Sequence, residues 1–249
     1  MNDFANRTGV AVVTGGTGGL GGAIVRLLAE RGAKVVFTYR GNETAAAALS
    51  DVAVPVRLDL TDAAATRAGL DAVGEEHGGM HTVVYASGPH VPMVHLSRVG
   101  PDQFADQISN DVLAAFHLIQ ASLPWLRRSS GSLVAVTTAA TRRYPVRDGL
   151  SAVPKGAVEQ LVWGVAAEEG RYGVRANCVG PGMLTDGMAV RLIESRDLDE
   201  AALEAARRNT PLRRFGTATD IAEAVCFLAS DRAGFISGQK LDVDGGYAV

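Results

Sequence analysis

The sequence predicts an α/β protein with a doubly wound, seven-stranded parallel sheet and helices on both of its faces. Three observations predict it: seven short apolar runs rich in valine, longer helix-period segments between them, and connections long enough to hold a helix. Right-handed crossovers then place helices on both faces. The predicted strands are residues 10–13, 34–38, 54–58, 82–85, 132–137, 174–179 and 240–243.

The first predicted helix shows how a crossover forms. Leu20, Ile24, Leu27 and Leu28 share one face at helical spacing, so this face packs on the sheet. Gly32 supplies the left-handed residue that ends the helix before the second strand. The alanine-rich stretches further along the chain are also typical of helix.

Length and composition indicate one globular domain that binds a small molecule. The chain has 249 residues, of which 47% are hydrophobic and 20% charged, and no linker-like stretch divides it. The formal net charge of −3 offers no basic surface for nucleic acid. We therefore expect a small-molecule substrate and no nucleic-acid partner.

Cysteine usage and hydropathy predict a cytoplasmic protein. Cys178 and Cys226 fall inside predicted elements, where structural burial is the expected role. The start of the sequence lacks a charged segment followed by a long apolar one, and no segment reaches the ~18 apolar residues of a membrane span. The five histidines lack metal-ligand spacing, so no metal site is expected.

A glycine-rich loop follows the first predicted strand and opens the first predicted helix. It reads TGGTGGLG over residues 14–21. Glycines let the backbone turn sharply and approach a pyrophosphate, while free N–H groups and the helix dipole favour its negative charge. Because strand, loop and helix occur in the required order, the loop predicts nucleotide binding over a structural turn.

The end of the second predicted strand favours NADP(H) over NAD(H). An acidic residue there would bind the ribose 2′-hydroxyl, but Arg40 stands in its place and can pair with a 2′-phosphate. The alternative for Arg40 is a solvated loop charge. Asp59, after the third strand, is placed to accept from the adenine amino group, or it begins the turn into a helix capped by Thr61.

These features resemble the short-chain dehydrogenase/reductase family over almost the whole chain. Thr14, Gly15, Gly19 and Gly21 match the family's TGxxxGxG loop. Residues 177–182 (NCVGPG) resemble the strand and Pro-Gly turn that meet the nicotinamide. The resemblance implies a Rossmann-like dinucleotide-binding domain, NAD(P)-dependent oxidoreductase activity, and the family's usual homotetramer or a homodimer.

The resemblance also carries the family's cofactor-binding positions onto this chain. Residues 238–246 (GQKLDVDGG) are family-like, and Thr185 stands one position before the family's threonine. The candidate cofactor-binding residues are Thr14, Gly15, Thr17, Gly19, Leu20, Gly21, Arg40, Asp59, Leu60, Ala86, Gly88, Lys155, Pro181, Gly182 and Thr185.

The catalytic residues depart from the family's Asn, Ser, Tyr and Lys. Counting along the family motifs puts Asp111, Thr138 and Ser151 at the first three positions, while Lys155 is retained. In the usual mechanism the lysine lowers the tyrosine pKa from ~10 so that the phenol can act as an acid near neutral pH. A serine is a far weaker acid and too short to replace it. Losing general acid catalysis without replacement would cost ~10² to 10⁴-fold in rate.

Two replacements for the phenol remain open. Asp at the Asn position, with Lys kept and Tyr lost, resembles the 2,4-dienoyl-CoA reductase branch, in which an Asp and a Lys are thought to hold a proton-donating water. Asp111 and Lys155 can polarise such a water. The other candidate is Tyr144, in the loop between Thr138 and the Lys155 helix, for which the alternative is an exposed loop tyrosine.

The expected function is an NADP-dependent reduction of an apolar carbonyl or an α,β-unsaturated acyl substrate, with a thioester among the candidates. We expect a helical lid over about residues 183–210, which covers an apolar substrate or packs on the domain. Arg142, Arg143 and Arg147 can bind an anionic CoA or carrier phosphate, or remain surface charges. The alternatives are an inactive nucleotide-binding protein or partner subunit, and a non-redox lyase or cyclase.

Overall fold

The chain forms one seven-stranded, all-parallel sheet in a computed structural model, which describes residues 2–89, 91–185 and 200–249. The strand order is β3-β2-β1-β4-β5-β6-β7. The predicted fold class is therefore confirmed. The strands are β1 Val10–Val13, β2 Val35–Tyr39, β3 Val54–Arg57, β4 Met80–Tyr85, β5 Ser132–Val136, β6 Arg175–Pro181 and β7 Lys240–Val243.

Helices cover both faces of the sheet. One buried apolar cluster joins the sheet to α1 and α8, and a second joins the opposite face to α3, α5 and α6. A π-helical turn, Ser109–Leu113, connects α4 to α5. The α-helices of the described chain are α1 Gly19–Glu30, α2 Glu43–Ala47, α3 Ala63–His77, α4 Pro101–Ile108, α5 Ala114–Ser129, α6 Gly149–Glu169, α7 Glu200–Asn209 and α8 Ala218–Ala229.

The strand order reverses between β1 and β4, and this places the site. β1 pairs with β2 on one side and with β4 on the other. The loops that leave the two strands diverge at such a point and open a crevice at the carboxyl edge of the sheet, where ligands of doubly wound folds bind. The glycine-rich loop after β1 and residues 86–88 after β4 both lie at this edge.

Two local expectations need adjustment. β4 starts at Met80 rather than at residue 82, because Met80 already pairs with Val10 of β1. The polar His81 interrupts the apolar run in the sequence, but its side chain is fully buried and stacks on Phe4 at a ring separation of 6.0 Å. The helix after Asp59 is not capped by Thr61. Its N-cap is Asp62, whose carboxylate accepts from the backbone N–H of Ala65 at 2.9 Å.

The expected lid lies mostly outside the described residues, which omit 186–199. Within the described part of the 183–210 range, residues Glu200–Asn209 form α7. None of the described helices has both the length and the apolarity needed to cross a membrane. Cys178 and Cys226 are free and buried, and burial raises the pKa of each thiol to about 12.

Candidate active site

The glycine-rich loop packs too closely for side chains at two of its positions. Gly15 has φ +67°, and a Cβ there would lie 2.9 Å from the carbonyl oxygen of Ala86. A Cβ on Gly21 would lie 2.1 Å from the carbonyl oxygen of Gly15. Glycine therefore lets the loop fold back on the first turn of α1 and against the chain that leaves β4.

The start of α1 fits a dinucleotide pyrophosphate. Gly18 is the N-cap, no side chain caps the helix, and its first turn carries no acidic residue. Gly18 and Gly19 are exposed to solvent. The N–H groups of the first turn and the positive end of the helix dipole are therefore available to an anion, with no carboxylate of that turn to repel it.

Thr14 connects the glycine-rich loop to the chain after β4. Its backbone N–H donates to the carbonyl of Val84 at 2.9 Å, and its hydroxyl accepts from the N–H of Ala86 at 3.1 Å. The side chain is fully buried. These two bonds fix the two sides of the crevice relative to each other.

Arg40, Asp59 and Asn110 lie at the end of the crevice beyond β2 and β3. The Asp59 carboxylate accepts from the N–H and hydroxyl of Thr61, and these bonds, in that order, hold its pKa below the ordinary value. Arg40 lowers the pKa further through its positive charge. The Arg40 guanidinium also donates to the Asn110 side chain at 3.2 Å, so it reaches across towards α4.

Asp111 and Lys155 form a buried ion pair at the centre of the crevice. The Lys155 ammonium donates to Asp111 Oδ1 at 2.9 Å and to the carbonyl of Ser87 at 3.1 Å. The two side chains are only 2% and 13% exposed, so solvent screens their attraction little. A Cβ on Gly88 would lie 3.4 Å from the ammonium nitrogen. The pair therefore sits directly beneath the loop that follows β4.

Tyr85 supports this ion pair from the last position of β4. Its hydroxyl donates to Asp111 Oδ1 at 2.7 Å and approaches the carbonyl oxygen of Asp111 at 2.9 Å. The Lys155 ammonium lies 5.0 Å from the centre of the Tyr85 ring. Burial, and then the Asp111 charge, raise the pKa of Tyr85 well above its ordinary value. The phenol therefore stays protonated and serves as a donor to the carboxylate.

The π-helical turn is what brings Asp111 to this position. Asp111 lies inside the turn Ser109–Leu113 and is 1% exposed. A π-turn inserts one extra residue into a helix and rotates the side chains around it, and such turns are frequent at functional sites.

Thr138, Ser151 and Tyr144 form no hydrogen bond with Lys155 among the described contacts. Thr138 follows β5, and its hydroxyl accepts from the N–H of Ala140 at 3.2 Å. Ser151 lies one helical turn before Lys155 on α6, on the same face. The Tyr144 hydroxyl reaches the start of α6, 2.9 Å from where a Cβ on Gly149 would lie, and the residue is half-exposed.

Asp148, immediately before α6, is a partly buried carboxyl group to which the sequence assigned no role. Burial raises its pKa to about 6, against a smaller opposing influence from a hydrogen bond with Ser151. The N–H of Ser151 also donates to the backbone carbonyl of Asp148 at 3.1 Å. No charge pattern in the sequence distinguishes this aspartate from the exposed ones.

The far end of the crevice is formed by the residues after β6. Pro181 ends β6, and the N–H of Gly182 donates to the carbonyl of Val243 at 3.0 Å. A Cβ on Gly182 would lie 2.6 Å from Cα of Asp244, so glycine is required for this approach. Thr185 is exposed and donates through its N–H to the carbonyl of Gly216 at 2.9 Å.

The structure therefore brings together Asp111 and Lys155, which motif counting identified, and adds Tyr85, which it did not. No role was assigned to Tyr85 from the sequence, although Ala86 and Gly88 in the loop that follows it are candidate cofactor-binding residues. A polar aromatic residue that ends an otherwise apolar strand is the signal that would have identified it. Within the described chain, no three His, Cys, Asp or Glu side chains are grouped as metal ligands.

Comparison with known proteins identifies the family. A family model described as enoyl-(acyl carrier protein) reductase matches residues 15–248, which is nearly the whole chain. The chain belongs to the short-chain dehydrogenase/reductase family. The relatives of this family that match the chain are dehydrogenases and reductases, and membership implies the use of a nicotinamide dinucleotide cofactor.

Relatives of this short-chain dehydrogenase/reductase span almost its full length. The L-fucose dehydrogenase of Oryctolagus cuniculus is 31% identical over 239 residues, which cover 95% of this chain and 84% of the relative. The cis-4-hydroxycyclohexanecarboxylate dehydrogenase of Sinomonas cyclohexanicum is 33% identical over 252 residues, covering 99% and 98%. A solved short-chain dehydrogenase/reductase from Mycobacterium ulcerans superposes with a TM-score of 0.90 at 28% identity, covering 99% and 91%.

Proposed function

We propose that the protein is an NADP(H)-dependent oxidoreductase that reduces an apolar carbonyl or an α,β-unsaturated acyl compound with an atypical proton donor. The observation that supports it most is the Asp111–Lys155 ion pair, which Tyr85 holds in place at the end of β4. A charged pair this deeply buried is costly unless its position serves a purpose. Its place at the carboxyl edge of the sheet suits a reacting group.

The cofactor would lie along the crevice from the β2 end to the β6 end. The residues proposed for the pyrophosphate, the 2′-phosphate and the adenine are Thr17, Gly19, Leu20 and Gly21 at α1, Arg40, and Asp59 with Leu60. Those proposed for the nicotinamide half are Ala86, Gly88, Pro181, Gly182 and Thr185, with Lys155 at the ribose. Thr14 and Gly15 shape the loop between these two ends.

A bound nicotinamide dinucleotide would supply the hydride. The protein has to hold the acceptor carbon near it and provide a proton. Thr138 lies after β5, where its hydroxyl can orient the substrate oxygen. Lys155 keeps donor capacity beyond its bonds to Asp111 and Ser87, because an ammonium group has three N–H donors. We propose that Asp111 and Lys155 polarise the water that delivers the proton, as in the dienoyl-CoA reductase branch that the sequence resembles.

Tyr144 is the second candidate for the proton donor. Its hydroxyl already lies at the first turn of α6, two residues before Ser151. Because Tyr144 is half-exposed, a rotation of the loop could bring the phenol into the space that the serine leaves. Ser151 itself would then contribute a hydroxyl to the substrate and not the transferred proton.

The names of the relatives define the first substrates to test. They are dehydrogenases of a sugar and of a cyclic hydroxy acid, so cyclic ketones join the acyl thioesters as candidates. The test follows NADPH and NADH absorbance with cyclic ketones, crotonyl, dienoyl and acetoacetyl thioesters. Asp111→Asn and Lys155→Ala should each reduce kcat at least 100-fold, since general acid–base catalysis typically contributes ~10² to 10⁴-fold.

The same assay separates the two proton donors. If the water held by Asp111 and Lys155 is the donor, Tyr144→Phe keeps its activity. A comparable loss in Tyr144→Phe assigns the acid to the loop instead. Tyr172→Phe, an exposed tyrosine at the opposite edge of the sheet, is the matched control.

The same assay distinguishes the proposed reduction from two alternative functions. Tight NADPH binding without turnover of any substrate class, together with carbonyl reduction restored by Ser151→Tyr, would favour an inactive nucleotide-binding protein or partner subunit. A substrate that is converted without any change in NADPH absorbance would favour a lyase or cyclase. Either result overturns the proposed reduction.

The cofactor preference is tested at Arg40. An arginine–phosphate contact is a charge-assisted hydrogen bond, and hydrogen bonds to charged groups contribute about 1.5–3 kcal/mol. Arg40→Gln should therefore reduce the preference for NADPH over NADH, measured as the ratio of their kcat/KM values, about 10- to 100-fold. Arg67→Gln, on the outer helix α3, should leave the ratio unchanged; an unchanged ratio in Arg40→Gln would contradict the NADP proposal.

A further inference from the structure

A basic cavity opens beside the start of α6, outside the residues assigned to the reaction. It has a volume of about 310 Å³ and is lined by Met93, Val94, His95, Arg98 and Arg147. These residues come from two segments that are about 50 positions apart in the sequence. The lining combines two guanidinium groups and an imidazole with two apolar side chains, and no carboxylate is part of it.

Arg98 and Arg147 have no ionic or hydrogen-bonding side-chain partner among the described contacts. Their neighbours in the β5–α6 loop differ: Arg142 lies 3.6 Å from the Asp242 carboxylate, and Arg143 donates to the carbonyl of Tyr247 at 2.7 Å. Of the three loop arginines that the sequence offered for an anion, two are therefore engaged elsewhere. Arg147 remains available, and Arg98 joins it from the other segment.

The backbone holds the two segments together at this cavity. The N–H of Val94 donates to the carbonyl of Arg147 at 3.1 Å, and Val94 and Asp148 form an isolated parallel bridge. Arg147 has φ +74°, a left-handed conformation that costs a non-glycine residue free energy. Such conformations persist where the surrounding structure fixes them, and they are concentrated at ligand sites.

Asp148 follows Arg147 directly but is not part of the cavity lining. Among the described contacts, the Arg147 and Asp148 side chains form no ion pair with each other. The two guanidinium groups of the lining therefore have no carboxylate partner within the cavity.

The cavity lies within reach of the reacting position. Arg147 lies two residues before α6, and Lys155 lies about 9 Å along the axis of that helix from its first residue, Gly149, at 1.5 Å per residue. The long side chain of Arg147 shortens the distance that a substrate has to span. The carbonyl and the anionic group of one small molecule can then occupy the crevice and the cavity together.

We propose that this cavity binds an anionic group of the substrate, a carboxylate or a phosphate, through Arg98 and Arg147. Guanidinium groups bind both oxyanions through paired hydrogen bonds. Met93 and Val94 contact the hydrocarbon next to the anionic group, and His95 adds a ring nitrogen. This inference rests on the proposed function and specifies its substrate class: an anionic group on one end and the reducible bond on the other.

The test compares substrates that differ only in the anionic group. One pair is 4-oxocyclohexanecarboxylate and its neutral carboxamide; the other is acetoacetyl-CoA and acetoacetylpantetheine, which lacks the CoA phosphates. We expect the anionic member of one pair to have at least a tenfold higher kcat/KM. Arg98→Gln and Arg147→Gln should each lower kcat/KM for the anionic member about tenfold and leave kcat/KM for the neutral member unchanged.

Arg128→Gln is the matched control, because Arg128 lies near the end of α5 at the opposite edge of the sheet and packs on Trp125. Equal kcat/KM values for both members of both pairs would overturn the inference, as would equal losses on both members in the Arg98 and Arg147 variants. If no compound is reduced, the proposed function fails, and calorimetric titration of the same pairs tests the cavity by itself. Equal binding of the anionic and neutral members would then refute the anion site.

Discussion

Tyr85 connects residues that lie far apart in the sequence. Its hydroxyl, at the end of β4, meets the Asp111 carboxylate in the π-helical turn, and that carboxylate binds the Lys155 ammonium from α6. One oxygen atom of Asp111 thus accepts from two donors on different elements. Because all three side chains are largely buried, each of these hydrogen bonds is electrostatically stronger than it would be at the surface.

Removing the Tyr85 hydroxyl should destabilise the protein. Tyr85→Phe keeps the ring but takes one donor from a buried carboxylate, and hydrogen bonds to charged groups contribute about 1.5–3 kcal/mol. We expect a loss of that size in the free energy of unfolding, measured by urea denaturation. Tyr172→Phe, which removes an exposed hydroxyl, should stay within about 0.5 kcal/mol of the wild type. A neutral Tyr85→Phe would show that Asp111 does not depend on this bond.

Asp148 should make stability depend on pH. Its pKa is raised from 3.8 to about 6 by burial, so below pH 3.8 the carboxyl is protonated in both states. Between pH 3.8 and about 6, Asp148 is ionised in the unfolded chain but still protonated in the folded protein. The free energy of unfolding therefore falls as pH rises through this window. Asp148→Asn has no carboxyl group to ionise at this position, so the variant does not lose this stability. The difference in the free energy of unfolding between the variant and the wild type should therefore grow in favour of the variant across the window, by up to about 3 kcal/mol at pH 7.

Chemical denaturation at several pH values measures the difference. The control is Asp51→Asn, an exposed aspartate in the turn before β3. A stability difference between Asp148→Asn and wild type that is constant from pH 3.8 to 7 would contradict the raised pKa.

Motif spacing predicted part of the site at the residue scale. Asp111 and Lys155 were found by counting from family motifs, and the structure brings them into contact. Tyr85, Asp148 and Arg98 were not assigned roles, because each acquires its partner through tertiary contacts. Their burial or their neighbours, and not their local sequence, distinguish them.

At the scale of elements, glycine has opposite consequences in a loop and in a helix. Gly21→Ala places a Cβ 2.1 Å from a backbone oxygen, so the loop has to shift away from the position that we propose for the pyrophosphate. We expect a loss of at least tenfold in NADPH affinity by fluorescence titration, since misplaced N–H groups no longer face the anion. Unchanged affinity would show that the loop does not bind the dinucleotide.

Gly164 provides the opposite case within α6. A Cβ there meets no atom within 4 Å, and the residue lies in the interior of the helix. Gly164→Ala should therefore stabilise the protein by about 0.5–1 kcal/mol, because alanine loses less backbone entropy in a helix. Thermal unfolding measures this, and a lower Tm would contradict it.

The elements were predicted well where apolar patterning fixed them. All seven strands were identified, with ends within two residues of those observed, because strands buried on both faces are continuous apolar runs. The π-helical turn was not predicted. It depends on how α4 and α5 pack on α6 and leaves no periodicity of its own in five residues.

At the scale of the whole molecule, we propose that the protein forms a homotetramer or homodimer. Four large apolar residues are 37–47% exposed: Leu113 at the end of the π-helical turn, Phe116 on α5, and Val153 and Trp163 on α6. Exposed apolar surface of this kind marks interaction sites. We also propose that the protein is cytoplasmic, as the sequence predicts.

Sedimentation velocity tests the assembly. Phe116→Glu combined with Trp163→Glu introduces charges into the proposed interface, so the sedimentation coefficient should fall towards that of a 25.9 kDa monomer. Val52→Glu, an exposed apolar residue on the other side of the sheet beside β3, is the control. A wild-type protein that sediments as a monomer would contradict the proposal.

The bonds of Lys155 have a consequence for binding thermodynamics. A lysine side chain loses up to about 2 kcal/mol of rotamer freedom when it is fixed. Here Asp111 and the carbonyl of Ser87 already fix the ammonium when the chain folds. Ordering this side chain therefore adds no entropy penalty to cofactor association. The lysine should show the same restricted dynamics before and after the dinucleotide binds.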